Sequence, residues 1–148
     1  MQPTLCALQQ EWITLQNQYD SYEKFACVIK LVCISLVAVM LLRHASILLV
    51  AAIIFVLWLQ EGIWKTFQAR IEVRLLSIEQ VLSKPEETQH TNQLAMQFNS
   101  SWLKTRPSAL GLLKEYATSA LRPTVALHYL LLIMIVIFAY LGMFAGSI

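Results

Sequence analysis

Three ionisable residues lie within or at the edge of strongly apolar runs: Lys30, Glu61 and His128. A charge at bilayer depth is costly, so such a group is expected to be paired or to have a function. A carboxylate, an ammonium and an imidazole at one depth form the kind of set a proton or ion pathway uses. The same residues also suit a structural arrangement. The Lys30 stem would reach back to Glu61 and the headgroups, with His128 at an interface. The structural pairing is the expectation carried forward, and conduction is its competitor.

No other constellation carries chemistry. Asp20 is the only aspartate. Patterns such as GxSxG, Walker A, GxGxxG and HExxH do not occur. His44, His90 and His128 fall on separate segments without ligand spacing. Cys6, Cys27 and Cys33 are odd in number and contain no CxxC, which argues against a disulfide framework or a metal site. The expectation is a protein that is not an enzyme, with no catalytic, cofactor or metal site and no evident small-molecule substrate. Gly142 and Gly146 form a GxxxG pattern with Ala139 beside it. A small-residue face of this kind lets helices approach closely, so these three residues are a candidate helix–helix contact, with another copy or with the other apolar helices.

The elements that position these residues follow from composition. The chain has 148 residues, 57% hydrophobic and 14% charged, with a mean hydropathy of +0.59. A soluble domain is about half apolar and about a quarter charged. So few charges could not cover a soluble surface, and a net charge of +2 is too small to argue for nucleic acid. The reading is an all-α integral membrane protein whose first partner is the lipid bilayer. Residues 1–24 lack the basic start and cleavage site of a signal peptide, so the first apolar run reads as a retained anchor.

Three runs are candidate spans: Phe25–Leu42, Ala45 to about Trp64, and Val125–Ile148. A span needs about 20 mostly apolar residues. Only Arg43 and His44 separate the first two, which predicts a tight helical hairpin. Orientation follows from basic residues. Segment 65–124 carries Lys65, Arg70, Arg74, Lys84, Lys104, Arg106, Lys114 and Arg122, whereas the opposite side has Arg43. The positive-inside rule then places the N-terminus and residues 65–124 in the cytoplasm and the C-terminus outside. The expected location is a bacterial inner membrane.

Periodicity continues beyond the apolar runs. Leu5, Leu8, Trp12, Leu15, Tyr19, Tyr22 and Ala26 alternate in steps of three and four, which is a heptad seam. Trp64, Phe67, Ile71, Leu75, Ile78 and Leu82 form a second stripe, ended by Lys84-Pro85. Folding back at Arg43–His44 pairs residues whose numbers sum to roughly 87 when both helices rise equally per residue. Leu8 then meets Ile78, Trp12 meets Leu75, Leu15 meets Ile71 and Tyr22 meets Trp64. Glu23 falls beside Lys65, and Glu11 near Arg74. The prediction is a hairpin of two long helices extended into a cytoplasmic antiparallel coiled coil, with Leu8, Trp12, Leu15, Ile71, Leu75 and Ile78 in its seam. The competing arrangement lays residues 5–22 flat on the membrane.

The domain reading is therefore 1–83 for this hairpin, 84–107 for a cytoplasmic loop with a short helix around Leu94–Trp102, 108–122 for an interfacial amphipathic helix, and 123–148 for the third span. Packing of 108–122 against the hairpin is the alternative. Pro107 and Pro123 are both read as lying near the first position of a helix. Trp58 and Trp64 are read as interfacial belt residues. The expected function is a structural, assembly or adaptor subunit of a membrane complex, partnered by other membrane subunits or by copies of itself. The alternative is an oligomeric pore or ion-conducting effector. A turn reading Leu42-Arg43-His44-Ala45 offers no cation filter.

Overall fold

The computed structural model describes residues 3–83 and 96–145. Gly146, His90 and the start of the expected short helix at Leu94 lie outside the described residues, as does the side chain of Leu5. The chain is helical, with five helices among the described residues: α1 (Pro3–Leu42), α2 (Ile47–Ser83), α3 (Phe98–Thr105), α4 (Ala109–Ala120) and α5 (Pro123–Ala145). Three are long and apolar enough to cross a membrane, over Cys6–Leu42, Ile47–Ser83 and Pro123–Met143. Of the most apolar stretch in each, 17%, 22% and 28% is buried, so most of that surface faces outward.

α1 and α2 run antiparallel. Their turn is built on a left-handed residue at a helix C-terminus: His44 has φ 52°, its N–H donates to Leu41 O, and Ala45 N–H donates to Met40 O. This is the Schellman pattern, usually made with glycine. Ser46 then caps α2, its Oγ accepting from Leu49 N.

Two apolar cores form, one toward each end of the helix pair. Near the turn, Cys33 and Val37 of α1 and Val50 and Ile54 of α2 pack with Val125, Tyr129, Leu132 and Val136 of α5. Steps of four, three and four along α5 put those residues on one face. Toward the chain start, Leu8 and Leu15 pack with Ile71, Leu75 and Ile78. Trp12, partly buried, packs at the edge of that cluster and donates its indole N–H to Glu79 at 3.0 Å. Glu11 and Arg74 are joined by two hydrogen bonds of 2.9 and 3.1 Å. Tyr22 meets Trp64 edge-on at 4.6 Å between centroids.

The shorter helices differ in detail from the expectation. α3 begins at Phe98 and runs past Trp102 to Thr105. Pro107 precedes the N-cap of α4 instead of occupying its first turn: Ser108 is the cap, accepting from Gly111 N. Pro123 does begin α5. α4 lies against α2, with Ser119 and Ala120 buried. Its opposite side leaves Leu110, Leu113 and Leu121 more than 60% exposed.

Candidate functional site

Between the two cores the helix pair becomes polar inside. On α2, Glu61, Lys65, Thr66 and Gln68 are all buried. The helical steps from Glu61 to Lys65 and Gln68 put them on one face, in line with the apolar residues of both cores. The polar side chains therefore interrupt a continuous stripe rather than lie beside it. Each is met by a group from another helix.

Glu61 is fully buried. Its Oε2 accepts from Tyr129 Oη at 2.9 Å, and the same hydroxyl lies 3.2 Å from Leu57 O. Lys30 Nζ lies 3.1 Å from Oε1 and donates to Thr124 O at 3.2 Å. The Lys30–Glu61 contact is an ion pair without hydrogen-bond geometry, since Oε1 accepts no hydrogen bond among the described residues. Lys30 retains 27% side-chain exposure, so the pair has one dry end and one wetter end.

Of the three ionisable residues singled out from the sequence, Lys30 and Glu61 are thus brought together and His128 is not bonded to them. Its ring meets Tyr129 edge-on at 5.2 Å, and its Nε2 is buried without a hydrogen bond among the described residues. The group that joins the pair is Tyr129, one residue further on.

One turn toward the chain start, Lys65 donates to Glu23 at 2.8 Å and to Gln68 at 2.9 Å. Gln68 donates in turn to Glu23 at 2.9 Å. These donors hold the Glu23 carboxyl below its usual range, the hydrogen bond from Lys65 being the largest cause. Glu23 precedes the apolar run of α1 and is half exposed.

α4 closes the third side. Thr66 Oγ1 donates to Gly62 O and lies 2.8 Å from Ser119 Oγ. Trp58 donates to Ala120 O at 2.8 Å, satisfying a carbonyl at the end of α4. Its indole N–H is thus engaged within the chain. Gly62 permits the close approach: a Cβ there would stand 2.8 Å from Ala120 Cβ. Further along, Arg70 pairs with Glu115 at 3.1 Å, and its guanidinium lies 5.1 Å from both the Phe67 and Trp102 ring centres.

Sequence reasoning missed Tyr129, Trp58, Thr66 and Ser119 as members of this belt. Tyr129 reads as one more aromatic in an apolar run. Only its hydroxyl, on the same helical stripe as Val125, Leu132 and Val136, hints at a buried partner. Gly142, named with Ala139 as a contact, faces open space within the chain, since a Cβ there would meet nothing within 4 Å. Ala139 is half-buried. Among the described residues no group of three or more histidine, cysteine or acidic side chains is placed to hold a metal. No protein-family model, curated protein or solved structure matches this chain.

Proposed function

We propose that this chain is a small, non-enzymatic integral membrane subunit. In this reading α5 and the apolar parts of α1 and α2 cross the bilayer, and their polar ends project into the cytoplasm as an antiparallel coiled coil. The outward apolar surface of the three long helices supports insertion, because lipid is the solvent that such a surface requires.

One observation carries the adaptor role. On the polar part of α2, Val73 and Leu76 are 70% and 52% exposed. Val73 borders a groove of about 400 Å³ lined by Phe98, Trp102, Pro107 and Glu115 and by Arg70 and Arg74, which are paired with Glu115 and Glu11. An exposed valine at the edge of an aromatic groove whose charges are already paired within the chain, outside the lipid zone, has the composition of a protein-docking face. The partner that fits is another protein subunit.

The test is affinity purification of the full chain in mild detergent, with the mass of the native complex. A defined hetero-complex that is lost in Val73→Glu, with chain level unchanged, supports the adaptor. A closed homo-oligomer that survives Val73→Glu overturns it in favour of the pore. The buried Glu61 is a feature that favours conduction. Its enclosure by Lys30 and Tyr129 suits a structural pair better than a permeation path.

A further inference from the structure

Where α1 and α2 change from polar to apolar, a cleft of about 320 Å³ opens between them and the junction of α4 with α5. Tyr19 and Lys30 of α1, Lys65 and Glu72 of α2, and Arg122 at the junction line it. The Arg122 backbone is fixed on both sides. Its N–H donates to Ser119 O, closing α4, and its carbonyl accepts from Val125 and Ala126, opening α5.

Most of the charge around this cleft is already matched. Lys30 is paired with Glu61, and Lys65 with Glu23. Two groups are left over. Neither the Arg122 guanidinium nor the Glu72 carboxylate has an ion-pair or hydrogen-bond partner among the described residues. They line one cleft, yet they are not paired with each other. Burial, followed by the negative charges of Glu72 and Glu23, pushes the Tyr19 phenol up, with Arg122 opposing. The phenol between them therefore stays a neutral donor.

A cleft with one spare cation and one spare anion selects a ligand that has both charges. A purely anionic ligand would gain Arg122 and be repelled by Glu72. The depth narrows the choice further. The stacked pair Phe25 and Trp64, 5.8 Å between centroids, marks the start of the apolar zone, and the exposed Leu31 and Leu127 continue beyond it. We propose that this cleft binds the headgroup of a zwitterionic aminophospholipid, its phosphate on Arg122 and its primary ammonium on Glu72. Guanidinium and phosphate match in bidentate geometry. A primary ammonium offers three N–H donors to a carboxylate, which a trimethylated choline lacks. The proposal rests on the membrane reading above.

The experiment first asks whether the full chain stays monodisperse in buffer without detergent or lipid. If it does, the membrane reading fails and this site fails with it. In detergent, native mass spectrometry then counts lipids retained from equal mixtures of short-chain phosphatidylethanolamine, phosphatidylcholine and phosphatidylglycerol. Soluble glycerophosphoethanolamine is a separate arm. The expected result is retention of phosphatidylethanolamine about tenfold tighter than either other lipid, the scale of one charge-assisted hydrogen bond. Glu72→Gln should remove the preference over phosphatidylcholine, and Arg122→Gln should weaken all three phospholipids. Circular dichroism checks that both variants are folded. If either has lost helix, the milder Glu72→Asp and Arg122→Lys take its place, each expected to reduce retention several-fold. Equal retention of the three lipids, a preference for phosphatidylglycerol, or selectivity intact in folded Glu72→Gln overturns the site. Equal affinity for the soluble headgroup overturns its assignment to lipid.

Discussion

Glu61 shows how one buried carboxylate constrains its neighbours. It has no exposure, and it is held by one ion pair and one hydroxyl. Removing one partner of a buried pair leaves the other uncompensated and typically costs about 3–5 kcal/mol, while replacing both by apolar groups is often neutral. Lys30 is partly exposed, so Lys30→Met should fall at or below the low end of that range. The structural role predicts that Lys30→Met or Glu61→Gln alone lowers the thermal stability and detergent-solubilised yield, and that the double variant recovers much of both. Tyr129→Phe removes one donor to the carboxylate and should cost about 1.5–3 kcal/mol. If all these variants assemble normally and proteoliposome flux alone is lost, the role is conduction. Glu23 behaves differently because it is half exposed. Its lowered folded pKa means that its contribution is full above the ordinary carboxylate range and is lost as pH falls through the folded value. Wild type should therefore exceed Glu23→Gln in melting temperature at neutral pH. The two should converge in acid, below the folded value, in melts taken across that range. A gap that persists there would exclude the proton-linked origin.

At the scale of elements, α4 is positioned by small residues. Gly62 and Ala120 approach so closely that a methyl group on Gly62 has no room, and the atom it meets is a fixed Cβ. Gly62→Ala should push α4 off α2 at a cost of about 1–3 kcal/mol, the usual range for overpacking. Gly62→Ala with Ala120→Gly should restore only part of it, since the backbone Cα and N of residue 120 would still stand 3.1 and 3.2 Å from the new methyl group. The check is disulfide trapping of cysteines placed at Thr66 and Ser119, whose hydroxyls are 2.8 Å apart. The α1–α2 turn makes the opposite case. His44 sits where glycine is favoured, so His44→Gly should raise the melting temperature by an amount equivalent to about 1 kcal/mol. These features differ in how legible they are from the chain alone. Glu11 with Arg74, Glu23 with Lys65 and Tyr22 with Trp64 follow from heptad spacing and a fold-back point, because the antiparallel register is fixed once both are known. The α4 contact does not follow. The wide apolar face of residues 108–122 reads as one laid against lipid, and Leu110 and Leu113 face outward as that reading has it, but nothing in the pattern marks Ser119 and Ala120 as the residues turned inward. Apolar-face arguments assume water on the other side. Beside an apolar helix pair, the polar and small residues are the ones with specific partners to find, as Thr66, Gly62 and Trp58 provide. Tyr129 was hidden for a related reason: the depth of α5 against α2 is set by tertiary packing, and no local pattern encodes it.

The whole molecule is a stack of three zones along one helix pair: an apolar core shared with α5, a polar belt sealed by α4, and a second apolar core without α5. The belt falls where the exposed surface also changes character. On the α5 side Leu31, Leu48, Val56, Leu131 and Phe138 face outward, whereas beyond the belt polar residues such as Gln10, Asn17, Glu72 and Glu79 are interspersed with a few exposed apolar ones, Ile13, Val73 and Leu76. Inside and outside thus switch at one level, which is expected if that level is a bilayer interface. The polar belt then supplies internal partners where headgroups and water are close, and buried charge costs less there than at the midplane. On the membrane reading proposed above, this arrangement predicts a topology. The start of α1, residues 65–83 and α3 lie on the belt side, and the 43–46 turn and the end of α5 lie on the other. With eight Lys and Arg in residues 65–124 against Arg43 on the turn side, the positive-inside rule predicts that the belt side is the cytoplasmic one. Single cysteines in a cysteine-free background provide the test, probed with a membrane-impermeant maleimide on intact cells and after lysis. Cysteines near Met1 and within residues 84–107 should react only after lysis, and one at Arg43 should react in intact cells. Labelling of the 84–107 segment from outside would invert the topology. It would also move the Val73 groove and the Arg122 cleft to the wrong side for a cytoplasmic partner and an inner-leaflet lipid.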